Sequence, residues 1–152
     1  RFRPGLGAQV LRLGGVTLSP SICFEDLFPE AVREAAATPE VGLLFNATND
    51  GWFGDTIEPW VHLAHARLRA AEQARPLVRA ATTGPSALID ERGRIVASAE
   101  PFRDAAFVGE LRPRPGPPAP YARWGDLGWV LALAAASLWR RAPAPPEPGG
   151  IA

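Results

Sequence analysis

Cys23 is the single cysteine of the 152-residue chain, and it stands in the run Ser-Ile-Cys-Phe-Glu-Asp over 21–26. A cysteine attacks through its thiolate. Glu25 and Asp26, close behind it, oppose a thiolate. Either their charges silence the thiol or a positive partner answers them. A lone cysteine also suits a small buried hydrophobe. Its place favours chemistry: it ends an apolar, strand-like run and precedes a turn into a helix start at Phe28-Pro29-Glu30. Strand-to-helix corners expose a nucleophile and gather backbone N–H groups around it. There the Phe24 N–H would point at an oxyanion formed on attack by Cys23.

The loop NATNDGWFGDTIEPW, residues 46–60, is the second unusual stretch. Asn46, Asn49 and Asp50 are turn formers, and Gly51 and Gly54 allow tight backbone. Trp52, Phe53 and Trp60 are costly to expose in a loop. They cap the core, or they wall an apolar ligand site beside the cysteine. His62 and His65 are three apart on a predicted helix. With one distant cysteine they make a poor metal site, and no metal or other cofactor is expected. A dyad of Cys23 with His62 or His65 is open, as is the plainer reading of two histidines on a polar face. Asn46-Ala47-Thr48 fits a glycosylation pattern but overlaps a predicted buried strand.

These residues need elements to hold them. Ala8–Leu13 and Val16–Phe24 read as strands around the Gly14-Gly15 turn. A helix follows from Pro29, which suits a first helical position, to about Ala37 before Pro39. VGLLFNA, residues 41–47, is a short apolar run typical of a buried strand. Glu58–Ala74 is the strongest helix, with Leu63, Ala66, Ala70 and Ala74 on one side. His62, His65, Arg69 and Glu72 read as its polar stripe. Leu77–Thr82, Ser86–Ile89, Arg94–Ala99 and Ala106–Leu111 are expected strands, with a hairpin turn at Asp90–Gly93. The order predicts a mixed α/β layer structure over 1–111.

RPRPGPPAP, residues 112–120, reads as a stiff extended linker, taken to run to 123. Leu127–Trp139 then carries no charge, lies between tryptophans and is followed by Arg140-Arg141. A bilayer span takes about 20 apolar residues. The run is short enough for a core or amphipathic helix. Its tryptophans and trailing arginines favour a membrane helix over 124–141 with its C-terminal end in the cytoplasm. Residues 142–152 read as a disordered tail.

Apolar residues make up 47% of the chain, which suits a folded domain. The formal net charge of zero provides no global field to recruit nucleic acid. There is no methionine and no lysine: all 16 basic residues are arginine. The first twenty residues have no apolar core of a signal peptide. A chain without an initiator is expected to be a fragment or a processed product.

With these stretches in view, the sequence resembles the C-terminal part of the apolipoprotein N-acyltransferases, the membrane-embedded branch of the nitrilase (carbon–nitrogen hydrolase) superfamily. SICFED with FPE, NATNDGWFGD, the stretch EPWVHLAHARLRAAEQARPLVRAATTGPSALIDERGRIV and PYARWGD carry the resemblance, over about residues 17–139. It implies half of a nitrilase-like αββα sandwich followed by one C-terminal transmembrane helix. It implies Cys23 as nucleophile, Phe24 as the backbone oxyanion donor and Glu25 as a supporting acid. Asn49, Trp52 and Phe53 fall in its substrate-binding loop. Phe24 stands where the family commonly has tyrosine, so a hydroxyl role there is lost.

The implied partners are a phospholipid acyl donor, a lipidated apolipoprotein acceptor and the membrane, not nucleic acid. The implied place is the bacterial cytoplasmic membrane, with the catalytic domain on its outer, periplasmic side. The family's general-base glutamate and its lysine, the cation that would answer Glu25 and Asp26, come from the first half of the domain. The 152 residues alone are therefore expected to be inactive. A soluble nitrilase-family amidase and a non-catalytic remnant are the alternatives.

Overall fold

In a computed structural model, residues 7 and 9–139 are described. The expected tail at 142–152 and the end of the expected membrane helix, 140–141, lie outside them. Six strands form one sheet in sequence order: β1 Leu11–Leu13, β2 Val16–Ile22, β3 Val41–Thr48, β4 Leu77–Ala81, β5 Ser86–Ile89 and β6 Ile95–Ala99. The central pairs β2–β3 and β3–β4 are parallel. The outer pairs, β1–β2, β4–β5 and β5–β6, are antiparallel.

Each parallel pair needs a crossover, and a helix supplies it. Helix α1, Pro29–Ala36, joins β2 to β3, and α2, Glu58–Gln73, joins β3 to β4. Pro29 sits at the start of α1, where its missing N–H costs nothing. Val32, Ala35 and Ala36 turn inward at helical spacing. Helix α2 stops at Ala74, which takes the left-handed conformation at φ 48°. Pro76 follows and cannot continue a helix.

Strand pairing fixes which residues share a face. Leu44 pairs with Leu77 and Leu77 with Ile89. These three pack with Val32, Ala36, Leu63, Ala66 and Ala70 into the core. Two residues on, the same face carries Ser21 opposite Asn46 and Asn46 opposite Arg79. The helix-covered face therefore turns from apolar to polar toward the carboxyl ends of the parallel strands. The opposite face carries Leu43, Phe45, Val78 and Leu88, all half-buried.

Four expectations need correction. Residues 106–111, expected as a strand, take no regular structure, and β6 ends the sheet. A Cβ at Gly109 would stand 2.6 Å from Leu88 Cδ1, so this segment lies against the sheet rather than extending it. The second strand stops at Ile22, and Cys23–Leu27 is a 3₁₀ turn. His62 and Arg69, expected on the polar stripe of the helix 58–74, are buried, at 3% and 4% exposed.

The expected membrane helix over 124–141 is not continuous. Helix α3 covers Pro120–Trp124, Gly125 breaks it at φ 53°, and α4 covers Leu127–Trp139. At 13 residues α4 is about 20 Å long, short of the roughly 30 Å hydrocarbon core. Among the described residues no helix is long and apolar enough to cross a membrane. The proline-rich run before α3 is fastened to the domain. Arg114 N donates to Gly42 O at 2.8 Å and Gly116 N to Pro39 O at 2.7 Å. The buried Arg75 donates to Gly116 O at 2.7 Å.

Candidate active site

Cys23 lies at the carboxyl end of β2, half-buried, with φ 52°. A non-glycine residue pays about 1–3 kcal/mol for such a conformation, and surrounding bonds must hold it there. On one side Glu25 Oε2 accepts from Ile22 N at 2.7 Å. On the other, the Cys23 carbonyl accepts from Asn46 Nδ2 at 3.2 Å. His62 Nε2 lies 3.3 Å from the same oxygen.

Beneath this corner is a buried network from five elements. His62 Nδ1 meets Asp50 Oδ1 at 2.8 Å, and His62 Nε2 meets Asp26 Oδ1 at 2.9 Å. Arg79 donates to Asp50 Oδ2 at 2.7 Å, to Asn46 Oδ1 at 2.8 Å and to Asp26 Oδ2 at 3.5 Å. Thr48 Oγ1 donates to Asp50 Oδ1 at 3.1 Å. Asp26 and Asp50 are fully buried and Arg79 is 1% exposed. Such charges persist inside a protein only when paired. Two carboxylates and one guanidinium leave one negative charge, which the His62 ring cancels when it is protonated.

Burial, the largest influence on His62, opposes its charged form, and Arg79 adds to that. The hydrogen bonds and charges of Asp26 and the bond to Asp50 outweigh both, and the His62 pKa lies above 6.5. His62 therefore does not serve Cys23 as a base, because both ring nitrogens are committed to carboxylates. His65 is half-buried on the next turn of the face. The Cys23–His62 version of the dyad is corrected by this geometry.

The two acids after Cys23 are thus accounted for. Glu25 caps the turn through Ile22 N–H, and Asp26 points inward to His62 and Arg79. Phe24 bridges the corner to the aromatic loop. Its ring centroid lies 5.4 Å from that of His62 and 5.7 Å from that of Phe53, the latter edge-on. Trp52, next to Phe53, is 84% exposed and stands out from the surface. Asn49 is spent locally, accepting from Gly51 N at 3.0 Å to start the 3₁₀ turn Asp50–Phe53. Cys23, Phe24, Glu25 and Phe53 are brought together, whereas Asn49 and Trp52 face outward from them.

A cleft of about 670 Å³ opens beside α1, lined by Ser19, Ser21, Glu25, Asp26 and Arg69 among others. Cys23 does not line it, so it lies to one side of the thiol. Among the described residues no group of three or more His, Cys, Asp and Glu could hold a metal ion.

Sequence reasoning missed Asn46, Asp26, Asp50, His62 and Arg79 as one constellation. Two signals were present. His62, Ala66 and Ala70 recur at four-residue spacing, which puts His62 on the core face of α2. Arg79 interrupts the apolar run LVRAA, and a mid-strand cation on a covered face requires buried partners.

Comparison with known proteins follows the same lines. The profile of the carbon–nitrogen hydrolases matches residues 1–113. The chain is 47% identical over 134 residues to the apolipoprotein N-acyltransferase of Rhodopseudomonas palustris, covering 88% of the chain and 24% of that protein. It is 43% identical over 126 residues to that of Methylococcus capsulatus, covering 82% and 24%. The chain thus spans about a quarter of the length of these curated relatives. Among solved structures it is similar to an amidase from Nesterenkonia sp. AN1 that carries the acetamide moiety of fluoroacetamide on its active-site cysteine. That likeness has a TM-score of 0.51 at 30% identity, over 66% of this chain and 41% of the amidase. A nitrilase-superfamily member, Saccharomyces cerevisiae Nit3, shares the fold at a TM-score of 0.55 and 20% identity, over 67% and 40%.

Proposed function

The chain belongs to the carbon–nitrogen hydrolase family, and on that premise we propose that it is the C-terminal part of an apolipoprotein N-acyltransferase with Cys23 as nucleophile. One observation carries the reading: the only cysteine occupies a left-handed corner at a strand end, braced on both sides by hydrogen bonds. That is the posture of a nucleophile and is costly for a packing residue.

In the proposed reaction the Cys23 thiolate attacks the ester carbonyl of a phospholipid. The new C–S bond pushes the carbonyl electron pair onto oxygen, where the Phe24 N–H receives it. Collapse breaks the C–O bond, and the released lysophospholipid alkoxide takes a proton. The α-amine of a lipidated N-terminal cysteine then attacks the thioester, expels the thiolate and loses a proton. Splitting the transfer in two lets one site serve both halves. The family resemblance assigns the base to a glutamate and the cation to a lysine outside these 152 residues, which contain no lysine. Glu25 does not replace that base, because it caps the turn.

The membrane is part of the reading. Helix α4 has no charge, and Trp129, Leu131, Leu133 and Trp139 are 60–83% exposed. Apolar surface of that extent marks a lipid or protein contact. We assign it to the bacterial inner membrane, with the α/β domain on the outer side.

The experiment is mass spectrometry of the full-length protein incubated with phospholipid vesicles. A Cys23 thioester that an acceptor lipopeptide discharges, and that C23S lacks, is the expected result. Transfer by residues 1–152 alone would overturn the assignment of base and cation elsewhere. The second reading, amide hydrolysis, draws on the likeness to the Nesterenkonia amidase. Discharge to water without acceptor, by a protein soluble without detergent, would favour it.

A further inference from the structure

We propose that Asn46 and His62 are positioning residues for the oxyanion donor: they hold the Cys23 carbonyl inward and thereby aim the Phe24 N–H outward at the reacting acyl oxygen. The inference rests on the reading of Cys23 as an acyl-accepting nucleophile and adds how its corner is set.

The peptide between Cys23 and Phe24 is trans, as no cis bond occurs among the described residues. In a trans peptide the C=O and N–H point in opposite directions from one rigid plane. Fixing the oxygen therefore fixes the hydrogen. The oxygen is fixed twice, by Asn46 Nδ2 at 3.2 Å and by His62 Nε2 at 3.3 Å. The N–H lies in the first turn of the 3₁₀ segment, where backbone donors have no partner within the helix.

The two anchors are themselves immobile. Asn46 is fully buried, donates also to Ser21 Oγ at 3.1 Å and accepts from Arg79 at 2.8 Å. That pattern fixes its amide orientation, with nitrogen toward Cys23. His62 faces carboxylates at both nitrogens, and carboxylates accept. With both aspartates ionised both nitrogens donate, the ring is an imidazolium and Nε2–H is shared between Asp26 and the Cys23 oxygen. The charged groups around it are Asp26, Asp50 and Arg79, from the two 3₁₀ turns and β4. The Phe24 ring lies on the imidazolium at 5.4 Å, within the range of a cation–π contact. His62 thus pins Phe24 through its side chain and, through the carbonyl before it, aims its N–H.

The test separates two reactions of the same sulfur in the full-length protein. Alkylation of Cys23 by iodoacetamide forms no oxyanion. Acylation by p-nitrophenyl butyrate does, and its nitrophenolate burst is read directly. N46S is expected to slow acylation roughly tenfold to a hundredfold, somewhat less than loss of a whole oxyanion donor. Alkylation should stay within about twofold. H62Q should show the same split, larger, and if it does not fold the N46S result decides. An equal fall in both reactions, or no fall in acylation, overturns the proposal. Ester acylation with the predicted split but no transfer from phospholipid overturns the acyltransferase reading and leaves the positioning role standing. Wild-type protein that neither alkylates nor acylates at Cys23 overturns both.

Discussion

Along the helix-covered face of the sheet, two neighbourhoods lie one pleat apart. At the entering ends of β3 and β4, Leu44 and Leu77 meet Leu63 and Ala66 in a dry apolar core. At the next inward position the same strands present Asn46 and Arg79, which meet Asp26, Asp50 and His62. Both neighbourhoods exclude water, but they are held differently. The apolar one tolerates any side chains that fill the volume. The polar one tolerates only partners that complete the charge balance and the hydrogen bonds. The corner that carries Cys23 rests on the second, so its geometry is specified more narrowly than packing alone could do.

The largest test removes the guanidinium. Arg79→Met leaves Asp26 and Asp50 facing one imidazolium, and breaking a buried pair costs about 3–5 kcal/mol. Urea unfolding should show that loss, together with slower acylation of Cys23. Leu44→Ala probes the other neighbourhood and should cost about 2–4 kcal/mol through its cavity. Cys23 reactivity in the folded protein should be unchanged by it. Equal effects of both variants on reactivity would erase the distinction between the two neighbourhoods.

Gly84→Ala should have a smaller effect, about 1–3 kcal/mol by overpacking. A Cβ there would overlap the Asp50 carboxylate and push it off Arg79 and His62. Smaller again is the pH response of His62, whose neighbours are Asp26, Asp50 and Arg79. Its folded pKa is raised, so its stabilisation is complete below the ordinary value of 6.5 and is lost as pH rises through the folded value. The urea midpoint should fall as pH rises above 6.5, and H62Q should flatten that fall. Trp52→Ala comes last. At 84% exposed its loss should change stability by no more than about 0.5 kcal/mol. A rise in KM for phospholipid without a change in stability would place it on the acyl path.

Much of the framework was legible. Periodicity and proline placement located α1 and α2 to within a residue or so, because each buries one regular stripe. The apolar run 41–47 was a strand because both of its faces are covered or half-covered. Residues 106–111 misled because an extended, apolar segment need not find a pairing partner; this one crosses above Leu88 instead. The run 124–139 is divided in two, because hydropathy does not report the break at Gly125. His62 was placed on a polar stripe by its residue type. Its helical phase with Ala66 and Ala70 said otherwise.

The sequence by itself determined the order of strands and helices from β1 to β6, the inward stripe of α2 and the placing of one cysteine at the end of a strand before a turn. Local periodicity and turn chemistry suffice for these, since they act over a few residues. Only the tertiary structure decided what answers the charges beneath that cysteine. Asp26, Asp50, His62 and Arg79 come from four elements separated by up to 53 residues. Their pairing depends on strand register and on the seating of α2 across the sheet. A buried charge has no stable place until those are set, and no local pattern encodes where its partner will stand.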